Sequence, residues 1–441
     1  MSGGNAVRSA IACLVGTFIL RLAAAAMGSM VQLYLAHIDA TITPITFTER
    51  SAINAVFFLP ELFGSPLLGA WSDRYGRKLF IMLGPLTGAL AVQITALTAF
   101  LPLIAVTRFL EGLSTASAIP ATLGYLSAIT SKNDALRGRV MGLFEVATFG
   151  GTIGGILIGG PLFQHFQNHA FTWDAAIYLT SLLILYLGMV ELGTPRAKPG
   201  DSIGPAPRQQ WLSSTRSAFE SAYGGIRIAL TSGPVLRFAP AWLAINMLPG
   251  LWLNNVTGLL MSPGHRFQDQ LLFGLLAHNP NYGNLISLGG GIVLGLFTSG
   301  IVLWTLVISR FRRTSLMLVC ATGLPFVALA IWLINHSGNL QQPLIPFYLG
   351  IAMLGLMVVS GFTPAALTYL ADLTEHSPVN RGAIMGLYTV LFGLGQFIGG
   401  FLGGPFGDWR GMDGLLLLTF LLGLSAFGTV GWLHLTEAQR K

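Results

Sequence analysis

The chain has 441 residues, of which 53% are hydrophobic and only 9% charged, with a net charge of +7 and a mean hydropathy of +0.68. Soluble domains carry roughly 25% charged residues, so a soluble globular protein is excluded. The long apolar runs do not alternate, which excludes a β-barrel.

Runs of about 20 apolar residues span a bilayer as helices. Twelve are predicted, at 9–35, 51–71, 79–100, 103–129, 139–163, 171–192, 235–261, 285–308, 314–335, 343–371, 383–406 and 412–434. With both termini cytoplasmic, 19 of the 24 Lys and Arg fall on the cytoplasmic side. Only Arg50, Arg266 and Arg410 fall outside, and Arg21 and Arg108 lie within spans. This is the positive-inside bias, so the basic charge reports topology and not nucleic-acid binding. The expected location is a bacterial-type inner (plasma) membrane, with a multi-pass chain in the lipid bilayer. Although Ala23–Ala26 loosely resembles a signal-peptide cleavage region, Arg21 interrupts the first run and its removal would leave eleven spans; it is read as a mature helix. Cys13 and Cys320 both sit within predicted spans and indicate neither a disulfide framework nor a metal site.

Between the second and third spans lies Gly69–Lys78, Gly-Ala-Trp-Ser-Asp-Arg-Tyr-Gly-Arg-Lys. A basic loop that only orients the helices accounts for Arg74, Arg77 and Lys78, but not for Gly69, Asp73 and Gly76. The stretch resembles the loop between helices two and three of major facilitator superfamily transporters. Their pattern Gly-x-x-x-Asp-Arg-x-Gly-Arg-Lys is matched at Gly69, Asp73, Arg74, Gly76, Arg77 and Lys78. The resemblance implies an all-α membrane protein of twelve transmembrane helices in two six-helix bundles related by pseudo-twofold symmetry. It also implies that Asp73 meets the cytoplasmic end of span eleven, near Arg381-Gly382, and holds the cytoplasmic gate shut in the outward-open state. A carboxylate near a helix N-terminus is favourable by roughly 0.3–1 kcal/mol.

An internal repeat supports this architecture. Pro120–Pro161 aligns without gaps on Pro364–Pro405, with 17 of 42 positions identical, including Tyr125 with Tyr369 and Arg137-Gly138 with Arg381-Gly382. Six spans separate the copies, so both halves share one orientation, as in parallel-repeat transporters. The expected division is an N-terminal bundle at 1–192, a cytoplasmic linker at 193–234 and a C-terminal bundle at 235–441. In the polar linker, Trp211, Phe219, Tyr223 and Ile226 fall near one helical face, as in a short surface helix; a plain disordered linker fits equally. Ser309–Thr314 reads as a copy of the Asp73 loop that keeps the basic residues and loses the aspartate.

Span five carries Gly142, Gly151, Gly155, Gly159 and Gly160. The spacing resembles the Gly-x8-Gly-x3-Gly-Pro-x2-Gly-Gly pattern of facilitator antiporters, except that Ile156 stands where the family has proline. Glycines four apart let helix backbones approach closely, so tight packing without directional meaning explains the lattice as well as antiport does.

Ionisable groups inside spans cost roughly 2.5–3.5 kcal/mol on insertion scales and mark pathways or proton sites. Arg21, Glu61, Arg108, Glu111 and Glu145 all fall within spans of the first half. Arg108 and Gly112 fit the Arg-x-x-x-Gly pattern of the family's fourth helix, where the resemblance assigns the arginine to proton coupling. Glu111 is three residues on, on the same face and able to pair with it, so Glu61 and Glu145 rank above it as proton carriers. Arg108 is then the charge that resets them, and Arg21 meets either Glu61 or an anionic substrate group.

No nucleotide-binding phosphate loop and no His-Glu-x-x-His motif is present, so neither an enzyme nor a cofactor is expected; the proton gradient supplies the energy. The expected function is proton-coupled efflux of a small apolar or amphipathic compound by alternating access, with the drug/proton antiporters as the group most resembled and the monomer as the working unit. The alternative is import of a small organic solute, including an anion, by proton symport or uniport. A non-transport or lipid-handling role for the fold is a third reading, against which the intact Asp73 loop and the buried charges weigh. Asn246, Trp252 and Asn254 on span seven, with Arg21, are candidates to line the substrate cavity, or else they simply pack the helix.

Overall fold

A computed structural model describes residues 3–131, 134–190, 233–262, 266–374 and 378–438. Fourteen α-helices are present among the described residues, and no strand. The first seven are α1 (Gly3–Thr41), α2 (Phe47–Ala55), α3 (Phe58–Tyr75), α4 (Arg77–Ala96), α5 (Leu101–Ile129), α6 (Asp134–Phe166) and α7 (His169–Gly188). The rest are α8 (Gly233–Leu260), α9 (Tyr282–Val307), α10 (Arg313–Asn335), α11 (Ile345–Ser360), α12 (Phe362–Thr374), α13 (Pro378–Arg410) and α14 (Met412–Ala438).

The twelve expected spans are recovered, with the second divided into α2 and α3 and the tenth into α11 and α12. The second divides because Pro60 has no N–H for a helical bond to the Val56 carbonyl, which accepts instead from the Leu59 N–H at 3.2 Å. Among the described residues, ten helical stretches are long and apolar enough to cross a membrane by length and composition. The other two spans are α5, which carries Arg108 and Glu111, and α8, which carries Pro240 and Pro249. The fold class is therefore an all-α membrane protein with six spans on either side of the 193–234 segment.

The described residues fall into two compact units, those of Met1–Met30 with Val56–Gly224, and those of Val31–Ala55 with Gly225–Lys441. The final part of α1 and all of α2 thus group with the second unit. The expected linker, with Trp211 and its neighbours, lies outside the described residues.

The first unit closes around Cys13, Leu68, Phe80, Ile81, Tyr125, Phe144 and Leu185. The second closes around Phe238, Trp242, Phe362 and Met317, with Trp242 stacked between Phe238 and Phe362 at 6.0 and 6.5 Å. Large apolar side chains such as Leu79, Leu90, Leu306 and Trp432 are exposed, as a surface that meets lipid requires.

Glycines set the closest helix contacts. In the first unit a Cβ on Gly151, Gly155 or Gly159 would meet the α1 backbone at Phe18, Leu22 or Ala26. In the second, Gly395 and Gly399 of α13 hold the same relation to α8, against the backbone of Asn246 and Met247, while Gly403 meets the Asn255 side chain. The lattice read in span five is thus a backbone-to-backbone seam, repeated in both units, of the kind small residues allow in lipid. Gly142 has nothing within 4 Å of such a Cβ and stands outside the seam.

Candidate functional site

The Gly69–Lys78 stretch ties four helices of the first unit together. Gly76 (φ +106) makes the one-residue turn between α3 and α4, a conformation that L side chains avoid. A Cβ on Gly69 would sit 3.3 Å from Pro120, so this glycine lets α3 lie close to α5. Arg77 donates from Nε to Asp73 Oδ1 at 2.7 Å and from Nη1 to the Gly124 carbonyl of α5 at 2.6 Å. Lys78 donates to the carbonyls of Met189 (2.9 Å) and Tyr186 (3.3 Å) at the end of α7, where a cation complements the helix dipole. Arg74 lies over the Tyr75 ring at 5.7 Å. Asp73 is therefore engaged by Arg77, while the side chains of Arg381 and its neighbours lie outside the described residues.

The second half holds a partial counterpart. Arg313, in the Ser309–Thr314 copy, donates to the Ile308 carbonyl at 2.5 Å and pairs with Asp372 of α12 at 3.4 Å. The aspartate missing from the loop is supplied from another helix.

The intramembrane charges converge on the break between α2 and α3. Phe58 starts α3 there, which puts Pro60 and Glu61 in its first turn, where a carboxylate faces the positive end of the helix dipole. Thr115 of α5 donates its hydroxyl to Glu61 Oε1 at 2.6 Å, and Arg21 and Arg108 are the cations whose charge reaches Glu61. The Arg21 side chain packs on Gly151 of α6, so the glycine seam also positions this cation.

Arg108 and Glu111 form a buried ion pair, with 4% and 0% of their surfaces exposed. The Arg108 guanidinium lies 4.9 Å from the centre of the Phe57 ring at the same break. Gly112 explains the second half of the Arg-x-x-x-Gly pattern, because a Cβ there would strike the Phe57 carbonyl oxygen and lie 3.1 Å from Pro60. Arg108 Nε and Glu111 Oε1 keep no hydrogen-bond partner.

Glu145 does not join this group. Its side chain is exposed on α6, beside the exposed Leu143 and Val146. Asp174 of α7, which the sequence reading passed over, is fully buried at 0% exposure with neither carboxylate oxygen hydrogen-bonded. It lies within electrostatic reach of Glu111. Its signal in the sequence was an acid three residues inside predicted span six.

In the second unit a small cavity is lined by Gln32, Phe47, Arg50, Asn54, Asn254 and Asn255. Arg50 lies in α2 and is buried, with Asp39 holding it at 2.5 Å and the Gly258 carbonyl accepting from it at 3.4 Å. Atoms without partners remain on Gln32 (Oε1), Arg50 (Nε), Asn54 (Oδ1) and Asn254 (Nδ2). Of the candidate cavity residues, Asn254 reaches this space. Asn246 donates to the Trp242 carbonyl one turn back (2.7 Å) and Trp252 donates to Thr419 of α14 (2.9 Å), so both pack helices.

Asp408 adds a further contact that holds α2 in the second unit. Asp408 of α13 accepts from the N–H groups of Phe47 and Thr48, each at 2.9 Å, and from the Thr48 hydroxyl at 2.5 Å. It caps the first turn of α2 from another helix. Asp408→Ala should lower stability by about 1–3 kcal/mol, the cost of leaving such donors unmet, and Asp408→Asn by less. Thermal unfolding of the purified protein in detergent measures both, and an unchanged melting temperature in the alanine variant removes the capping role.

The sequence model of the Major Facilitator Superfamily matches residues 13–339. Multidrug resistance protein 1 of Bacillus subtilis (strain 168) is 23% identical over 384 residues, covering 86% of this chain and 85% of that protein. Sialic acid transporter NanX of Escherichia coli (strain K12) is 23% identical over 316 residues, covering 68% of this chain and 72% of that protein. Among solved structures, nucleoside transporter NupG superposes with a TM-score of 0.71 at 13% identity, over 97% of this chain and 98% of that one. At that identity the likeness concerns the fold alone.

Proposed function

Because the chain belongs to the major facilitator superfamily, and so is a transport protein rather than an enzyme, we propose that it exports a small apolar or amphipathic compound in exchange for protons. It would do so by alternating access, as a monomer in an inner (plasma) membrane, with both termini cytoplasmic and the proton gradient as its energy source. The observation that carries this reading is Glu61, an intramembrane carboxyl on a broken helix. Thr115 bonds it, and two arginines on other helices reach it. Such acids mark proton pathways, and broken helices in membranes are tolerated where they are buried or line a cavity. The likeness to a protein named for multidrug resistance supports export.

The test is collapse of a pH gradient in everted membrane vesicles, with a panel of lipophilic cations, organic acids and sugars. Compound-dependent loss of lumenal protons is expected, reduced at least tenfold by Glu61→Gln. Glu145→Gln should stay within about twofold of the unaltered chain, since an exposed side chain joins no charge network. Full activity in Glu61→Gln would sink the assignment of this carboxyl.

The cavity of the second unit favours a second reading. Its buried arginine and unpartnered amide atoms suit a polar or anionic solute better than an apolar one. A likeness to a protein named as a sialic acid transporter points the same way. The chain would then import a small organic anion by proton symport or uniport. In the same vesicles, symport would carry the solute and the proton out of the acidified lumen together, whereas antiport would move them in opposite directions.

A further inference from the structure

Three carboxyls and two arginines share the interior of the first unit. Glu61, Glu111 and Asp174 come from α3, the middle of α5 and α7, and Arg21 and Arg108 from α1 and α5. Two cations balance two carboxylates. With all three acids ionised the set would carry one uncompensated negative charge in an apolar interior, which proteins avoid by taking up a proton.

The geometry shows which acid is left over. Glu61 has the Thr115 hydroxyl and lies within reach of Arg21. Glu111 has Arg108 on Oε2. Asp174 has no hydrogen-bond partner on either oxygen, although it is wholly buried. Tyr178, one turn along α7, is equally buried and its hydroxyl is also without a partner. Its ring lies where a Cβ on Gly88 would sit, so α4 presses this face of α7 inward. The titratable and charged groups around Tyr178 are Asp174 on its own helix, Glu111 and Arg108 on α5, and Arg21 on α1.

We propose that Asp174, Tyr178 and Glu111 form a proton-binding site in which Asp174 holds the exchangeable proton. The site deepens the proton-coupled reading given above and rests on it for its role in transport. α5 and α7 both begin on the face opposite the Gly76 turn. Asp174 lies five residues from the start of α7 and Glu111 ten from the start of α5, about 7.5 and 15 Å along the helices at 1.5 Å per residue. The hydrocarbon core is about 30 Å thick, so the pair leads from that face to the mid-membrane level. Neither Asp174 oxygen bonds Glu111 Oε1, the oxygen that Arg108 leaves free, so water relays the transfer: the O–H bond at Asp174 breaks as one forms to water, and the water gives a proton to Glu111 Oε1. The summed charge of the set does not change, and Asp174 is reprotonated from the face on which α7 begins.

The test is pH-difference infrared spectroscopy of the full chain in liposomes, read at the carboxylic acid C=O stretch. One titrating band should disappear in Asp174→Asn, return at a shifted position in Asp174→Glu, and move in both Tyr178→Phe and Glu111→Gln. An unchanged set of bands in Asp174→Asn overturns the proposal, as does a band lost there and not restored by glutamate. If Asp174→Asn fails to fold, Tyr178→Phe decides: a moved band supports the site and an unmoved one refutes it. Proton-coupled transport is measured separately on the unaltered chain. An intact Asp174 band without coupled transport overturns the transport reading alone. Coupled transport without the band overturns the site alone.

Discussion

Arg108→Ala should abolish proton-driven transport and destabilise the protein by about 3–5 kcal/mol, the loss seen when one partner of a buried ion pair is removed. Glu111 would then remain at 0% exposure without the guanidinium that now bonds it. The Phe57 ring would also lose the cation that lies 4.9 Å from its centre. Because Phe57 sits at the break that presents Glu61, the damage extends beyond one pair. Replacing both partners by apolar groups of similar size is often neutral for stability. Arg108→Met combined with Glu111→Leu should therefore recover most of the lost melting temperature while transport stays absent. Thermal unfolding in detergent and gradient collapse in vesicles separate the two effects. Recovery of transport in the double variant would show that the pair serves only structure.

The twelve spans and the repeat were legible because both rest on runs and registers that the linear chain displays directly. The Asp73 loop was legible as a motif, but its present engagement was not. Arg77 meets Asp73 four residues away and Gly124 forty-seven away, and only the packing of α4 on α5 brings the second contact about. Hydropathy places a charge in a span without saying which way the helix turns it. Glu145 and Glu61 looked alike in sequence, yet one side chain is exposed and the other is bonded to Thr115. Asp174 was lost for the opposite reason. Three residues inside a predicted span it reads as interfacial, whereas α7 begins at His169 and buries it. The burial of Arg50 was hidden because the partner that permits it, Asp39, is eleven residues earlier and in the preceding helix. In each case the missing quantity was a neighbour from another helix.

Gly155→Val should prevent accumulation of folded protein, whereas Gly142→Ala should be neutral or slightly stabilising. A Cβ at Gly155 would strike the Leu22 carbonyl oxygen and lie 2.7 Å from Ala25 Cβ and 2.8 Å from the Ala26 nitrogen. Backbone atoms of a neighbouring span cannot step aside as a flexible side chain can, so the cost exceeds the roughly 1–3 kcal/mol of ordinary overpacking. At Gly142 a Cβ meets nothing within 4 Å, and alanine gains up to about 1 kcal/mol over glycine in helix propensity. Both glycines belong to the spacing that resembles the antiporter pattern, so the contrast distinguishes two origins for that spacing. A seam that exists for packing predicts that damage follows contact distance, and that Gly399→Val of α13, whose Cβ would meet the Met247 backbone, fails in the same way. The measurement is the yield of monodisperse protein after detergent extraction, followed by gradient collapse for any variant that folds. If Gly142→Ala folds normally but loses exchange, the spacing carries transport function beyond packing. If only the contacting glycines matter, the lattice is the means by which α6 and α13 approach α1 and α8, and the direction of transport must be set by the charged groups.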